Sequence, residues 1–131
     1  NKFKMAHRGE KIAIIAVGNF FKYGETIRQS LANDGIDATL INPRYLSGVD
    51  ENMLDGLEKD HQIVVTIEDG SLDGGFGERI SRFYGPTTIK VLNFGIKKAL
   101  YDRYDVNKLL HDNNLTDEQI LASVKSVLNN Y

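Results

Sequence analysis

Apolar positions in this chain fall into short runs whose period switches between strand-like and helix-like. Ile12-Ala13-Ile14-Ile15-Ala16-Val17 is a continuous apolar run, which reads as a strand covered on both faces, hence central in a parallel sheet. Ahead of it Phe3-Lys4-Met5-Ala6 alternates, and His7-Arg8-Gly9-Glu10 is a short glycine-containing connection. That pattern predicts an antiparallel hairpin onto the central strand, with Phe3 and Met5 facing inward.

After Gly18 the spacing predicts a helix from about Gly24 to Asn33, with Ile27 and Leu31 on one face and Gly35 ending it. A strand over Asp37 to Asn42 stops at Pro43. Asp50 is placed to cap a helix through Met53, Leu54 and Leu57 to about Lys59. Gln62 to Glu68 reads as a second buried strand, and a glycine-rich turn from Asp69 to Gly77 leads into a helix carrying Ile80 and Phe83 and closing near Gly85-Pro86. Ile89 to Phe94 is the last strand. In the tail, Asp105 and Thr116 are cap candidates, Thr116 to Gln119 has the spacing of a capping box, and Ile120, Val124 and Val127-Leu128 follow at helical spacing. The alternation predicts an α/β fold of three layers: a mostly parallel five-stranded sheet with one antiparallel edge strand, covered by helices on both faces.

Composition narrows the function classes. The length of 131 residues suits one domain spanning 1–131. The absence of cysteine excludes disulfides, thiolate nucleophiles and Cys-ligated metals, and suits a reducing cytoplasm. A net charge of −2 provides no basic face for nucleic acid, and no apolar stretch approaches the roughly 20 residues of a membrane span. The amino end, Asn1 to Met5, has neither a signal-peptide run nor an initiator Met, so an excerpt of a longer polypeptide is expected.

Catalytic chemistry is sparse. His7, His61 and His111 fall in predicted turns or helix ends, and none has HxxxH or HExxH spacing. No GxSxG elbow occurs, and Ser71 reads as a solvated loop serine. Lys97, Lys98, Arg103 and Lys108, interleaved with Tyr101 and Tyr104, read as a solvated basic face. One constellation stands out: Glu68-Asp69-Gly70-Ser71-Leu72-Asp73-Gly74-Gly75-Phe76-Gly77 joins the carboxyl end of a strand to a helix, where open α/β sheets bind ligands. A helix amino terminus there could receive a phosphate. Against that, the glycine spacing fits neither phosphate-binding pattern, and Glu68, Asp69 and Asp73 would repel an anion. The stronger reading is that the glycines permit close helix-to-sheet packing while a carboxylate accepts the turn's own N–H groups.

The ordered segments resemble the carboxyl-terminal domain of the 1-deoxy-D-xylulose-5-phosphate synthases, thiamine-diphosphate enzymes of the transketolase family. The resemblance is carried by Arg8-Gly9-Glu10-Lys11 with Ile12 to Gly18, by Gly35 to Thr39, by Asn42-Pro43-Arg44-Tyr45, and by Asp50-Glu51. Val65 to Gly70 with Gly74 to Gly77 is its most specific stretch. Transketolases and 2-oxo acid dehydrogenase beta subunits share similar versions of that stretch, while the tail around Val91 to Ile96 and Leu115 to Ile120 is more similar to the synthases. Lys97-Lys98 and Arg103-Tyr104 stand where that family has Pro-Asp and His-Gly, and Ser47-Gly48-Val49 replaces a proline-containing turn.

The resemblance implies a complete enzyme that condenses pyruvate with glyceraldehyde 3-phosphate, losing carbon dioxide, with thiamine diphosphate and magnesium held by domains absent from these residues. It implies no catalytic, cofactor-binding or metal-binding residue in this segment, which would pack on preceding domains of the same polypeptide and support a homodimer. Glu68, Asp69, Gly74, Gly75, Phe76 and Gly77 are the candidate docking residues. The competing readings are the equivalent domain of a transketolase or dehydrogenase beta subunit, and a freestanding phosphate- or nucleotide-binding module.

Overall fold

The structure, a computed structural model, describes residues 3–17, 20–43, 50–69, 75–96 and 117–128. In chain order these form β1 (Lys4–His7), β2 (Lys11–Ala16), α1 (Phe21–Asn33), β3 (Thr39–Asn42), α2 (Glu51–Leu57), β4 (His61–Asp69), α3 (Phe76–Tyr84), β5 (Lys90–Ile96) and α4 (Asp117–Leu128). The strands make one sheet in the order β1-β3-β2-β4-β5, with β3, β2, β4 and β5 parallel and β1 antiparallel to β3.

Side-chain alternation sorts the core into two halves. From β2, Ile12, Ile14 and Ala16 face α1 and α4, where Ile27, Leu31 and Val124 are fully buried. Ala13 and Ile15 face the opposite layer, packing with Leu54 and Leu57 of α2 and Ile80 and Tyr84 of α3. Every residue of β2 from Ile12 to Ala16 is buried, as expected of a strand with a neighbour on each edge and a helix layer on each face.

The amino-terminal hairpin is a correction. β1 does not pair with β2; it pairs with β3, Lys4 opposite Asn42 and Met5 opposite Ile41. Both edges of β2 are taken by β3 and β4, and the connection after β1 is carried across to β3 by Glu10 N–H donating to the Asp37 carbonyl (2.8 Å) and Gly9 N–H donating to Thr39 Oγ1 (2.9 Å). Phe3 is buried as expected, whereas Met5 is only partly covered. Helix α1 begins at Phe21 rather than near Gly24, because Gly24 is a helical residue facing Ala16 in the sheet. It ends as expected: with Gly35 at φ +84°, Gly35 N–H donates to Ala32 and Ile36 N–H to Leu31, a Schellman cap. Asp50 caps α2 by accepting from Met53 N–H (3.2 Å). The Asp105 and Thr116 caps lie outside the described residues.

No helix among the described residues is long and apolar enough to cross a membrane.

Candidate functional site

Chain order reverses direction across the sheet at β2: β3 lies on one side of it and β4 on the other. The carboxyl ends of β2 and β4, joined by Val17 N–H donating to the Ile67 carbonyl (3.0 Å), are therefore the switch point at which open α/β sheets place ligands. Glu68 stands there. Along β4, Val64 and Thr66 point toward the α2–α3 layer, and Glu68 is the next residue of that face.

Helix α3 starts without a cap of its own, since its N-cap residue is Gly75. Glu68 supplies one from the strand: its carboxylate accepts the Gly77 N–H. A negative group at a helix amino end is favoured by the unpaired N–H groups and the helix dipole. Burial nonetheless pushes the Glu68 carboxyl above the usual carboxylate range; the backbone N–H groups of Gly77 and Phe76 and the charge of Arg79 pull it down, Glu78 pushes it up, and burial prevails.

Gly77 explains the closeness of α3 to the sheet. A Cβ on it would stand 2.7 Å from Asn93 Oδ1, 2.8 Å from Asn93 Cγ and 2.9 Å from Thr66 Oγ1. The groups it would strike form a polar seam: Thr66 Oγ1 donates to Asn93 Oδ1 (2.5 Å), and Asn93 Nδ2 donates to Ser81 Oγ (2.8 Å). Close packing and a carboxylate on the turn's own N–H groups are thus both present. The place a phosphate would take at the α3 amino end is filled by Glu68.

The candidate residues divide by position. Glu68 and Gly75 are partly exposed, while Phe76 and Gly77 are buried within the chain. Asp69 is the last residue of β4, with its Cα paired to Ile96. Gly74 lies outside the described residues, as do Ser71, His111 and the basic residues from Lys97 to Lys108.

The two described histidines are strand residues, which corrects their expected placement in turns or helix ends. His7 closes β1, with Nε2 2.7 Å from Asp37 Oδ1 at the surface. His61 opens β4 and is buried. Its Nε2 is 2.8 Å from Thr39 Oγ1, and its Nδ1 is 2.7 Å from Asp60 Oδ1 and 3.1 Å from the Leu57 carbonyl. Arg8 in turn donates to Asp60 Oδ2 (2.7 Å). This network joins segments far apart in sequence, and no short motif announces it. It lies at the amino ends of the parallel strands, the edge opposite Glu68.

A thiamine diphosphate site would need a metal-binding group and an open anion cradle. Among the described residues no group of three or more His, Cys, Asp or Glu could hold a metal ion. The one cradle at the switch point whose contacts are laid out above is occupied by Glu68. Among the described residues, the α3 amino end is therefore not open to that cofactor's diphosphate.

Comparison with known proteins agrees with this architecture. Residues 1–120 match the family described as transketolase, C-terminal domain. A 1-deoxy-D-xylulose-5-phosphate synthase of Lachnoclostridium phytofermentans is 36% identical over 88% of this chain and 19% of its own length. Those of Alkaliphilus oremlandii (33%, over 91% of this chain and 19% of its own length) and Pseudoalteromonas translucida (27%, over 98% and 20%) are similar. The chain thus spans about a fifth of the length of these curated relatives. Among solved structures, a split-gene transketolase, described as an inactive beta4 tetramer, superposes with a TM-score of 0.81 at 22% identity, over 98% of this chain and 42% of that one. That likeness speaks to the fold. With the family match spanning residues 1–120, the chain belongs to the transketolase C-terminal domain family.

Proposed function

We propose that this chain is the carboxyl-terminal unit of a 1-deoxy-D-xylulose-5-phosphate synthase, one domain over residues 1–131 excerpted from a longer cytoplasmic polypeptide. In the complete enzyme, preceding domains hold thiamine diphosphate and magnesium and condense pyruvate with glyceraldehyde 3-phosphate, releasing carbon dioxide. This unit contributes a docking surface for those domains and supports a homodimer, and by itself it is inactive and binds no thiamine diphosphate.

One observation carries the non-catalytic reading: the α3 amino end, the natural anion site at the switch point, is taken by Glu68 of the same chain. The docking surface is centred on Glu68 and Gly75, with Asp69 and Gly74 as further candidates from the sequence. Phe76 and Gly77 support it from beneath, because Phe76 is packed into the core and Gly77 against Asn93.

Two measurements test the proposal. Titration calorimetry of the 131-residue chain with thiamine diphosphate and Mg2+ is expected to give no binding heat, and micromolar affinity would overturn the non-catalytic reading. Coexpression with the upstream part of the same polypeptide is expected to yield a stable complex that Glu68→Lys weakens. Complex formation indifferent to that change would remove Glu68 from the docking surface.

A further inference from the structure

Phe3 precedes the first strand, yet it touches the amino ends of two helices. Because β1 runs antiparallel to β3 with Lys4 opposite Asn42, the start of β1 lies at the carboxyl edge of the parallel strands, the same edge as Glu68. Phe3 N–H donates to Asp50 Oδ2 (2.9 Å), while Asp50 Oδ1 accepts from Met53 N–H in the first turn of α2. The Phe3 ring lies 5.7 Å from that of Phe76, inclined at 55°, and both residues are more than nine-tenths buried. Phe76 opens α3, and the N–H of the next residue, Gly77, is the group Glu68 holds. One residue outside every helix and strand therefore bridges the α2 cap and the α3 cap, which come from segments distant in sequence.

We infer that Phe3 is a latch: it fixes the amino ends of α2 and α3 to each other, so that loosening Phe3 is passed to the Glu68–Gly77 contact. The ring holds Phe76 from one side while Glu68 holds the next residue, Gly77, by its N–H. Asp50 sets the ring's position, because its second oxygen anchors the Phe3 backbone while its first caps α2. The device stands whether or not this edge docks another domain, since every contact in it lies within the chain.

Amide hydrogen exchange of the 131-residue chain, read by NMR, tests it. Phe3→Ala is expected to speed exchange at Phe76 and Gly77 about tenfold, as suits the loss of an aromatic pair and its local order, with Val65 in mid-β4 changed far less. Asp50→Asn keeps one oxygen for Met53 N–H and leaves no second oxygen for Phe3. It is expected to speed exchange at Phe76 and Gly77 while Met53 stays protected. Wild-type rates at Phe76 and Gly77 in Asp50→Asn would overturn the latch, and so would a uniform acceleration at every amide, which marks only lost global stability. Should Phe3→Ala fail to fold, Asp50→Asn decides the matter alone.

Discussion

The Thr39 hydroxyl lies 2.8 Å from His61 Nε2 and also accepts the Gly9 N–H at 2.9 Å. With Asp60 Oδ1 at 2.7 Å from His61 Nδ1, the order hydroxyl, imidazole, carboxylate matches that of a nucleophilic triad. Its burial rules that role out: Thr39 is fully buried, and its oxygen is already shared with a backbone N–H. Both partners of Nδ1, the Leu57 carbonyl and the Asp60 carboxylate, only accept, so Nδ1 carries a proton; with the second proton absent, Nε2 accepts from the Thr39 O–H. Ring nitrogen shifts in 15N NMR are expected to show a proton on Nδ1. Thr39→Val leaves the Gly9 N–H and Nε2 unpaired and is expected to cost about 2–3 kcal/mol in urea unfolding. Thr39→Ser, which keeps the hydroxyl, costs about 1 kcal/mol.

Gly77→Ala tests how tightly α3 is set on the sheet. Its methyl group would meet Asn93 and Thr66 at 2.7–2.9 Å, against side chains already tied to each other and to Ser81. Overpacking of this kind costs about 1–3 kcal/mol, read as a fall in the thermal midpoint. Asn93→Ala removes the nearer obstruction, so the double variant is expected to lose less than the two single losses added together. Strict additivity would mean that α3 moves aside as a body.

These two sites differ in how far the sequence discloses them. The Glu68-to-Gly77 segment is a contiguous run of carboxylates and glycines at a strand–helix junction, and local chemistry alone suggests a carboxylate on the turn's own N–H groups. The Thr39–His61 contact joins β3 to β4, which flank β2 without pairing with each other, so no local pattern contains it. The same limit explains the hairpin error. Alternation over Phe3 to Ala6 identifies a strand, but its partner depends on β2 already having both edges filled. The strands themselves were legible because β2 and β4 are long apolar runs, whereas the start of α1 was obscured by Gly24, a buried helical glycine that reads locally as a boundary.

Glu68 predicts a pH dependence with a definite sign. Its folded carboxyl holds a proton to higher pH than the unfolded one, so between the two values the folded state binds more protons. Its contribution to stability is therefore full below the ordinary glutamate value of about 4.3 and is lost as pH rises through the raised value. Glu68→Gln keeps an oxygen for the Gly77 N–H and cannot ionise. Relative to wild type it is expected to gain stability as pH rises through that window, then hold the gain to neutrality. Urea midpoints from about pH 4 to about pH 8 measure this, and an opposite slope would mean that the N–H groups outweigh burial. Glu68→Ala leaves the α3 amino end uncapped and is expected to lose about 1 kcal/mol.

Lys11 predicts a gain. It is the one non-glycine residue among those described with positive φ, at +70°, and the β2–β4 register slips between it and Ile12. The conformation is imposed from both sides. Glu10 N–H is held by the Asp37 carbonyl ahead of β3, Lys11 N–H by the Asp60 carbonyl ahead of β4, and Ile12 N–H closes back on the Glu10 carbonyl, each at 2.8 Å. Three bonds thus override a backbone preference that costs a side-chain-bearing residue about 1–2 kcal/mol. The Lys11 side chain is exposed, so little packing is lost with it. Lys11→Gly relieves the strain against glycine's larger unfolded-state entropy, for a net gain of about 0.5–1 kcal/mol. Lys11→Val, branched at Cβ, is expected to lose stability at the same site. Should both variants destabilise equally in urea unfolding, the lysine side chain rather than the backbone would be what matters at this position.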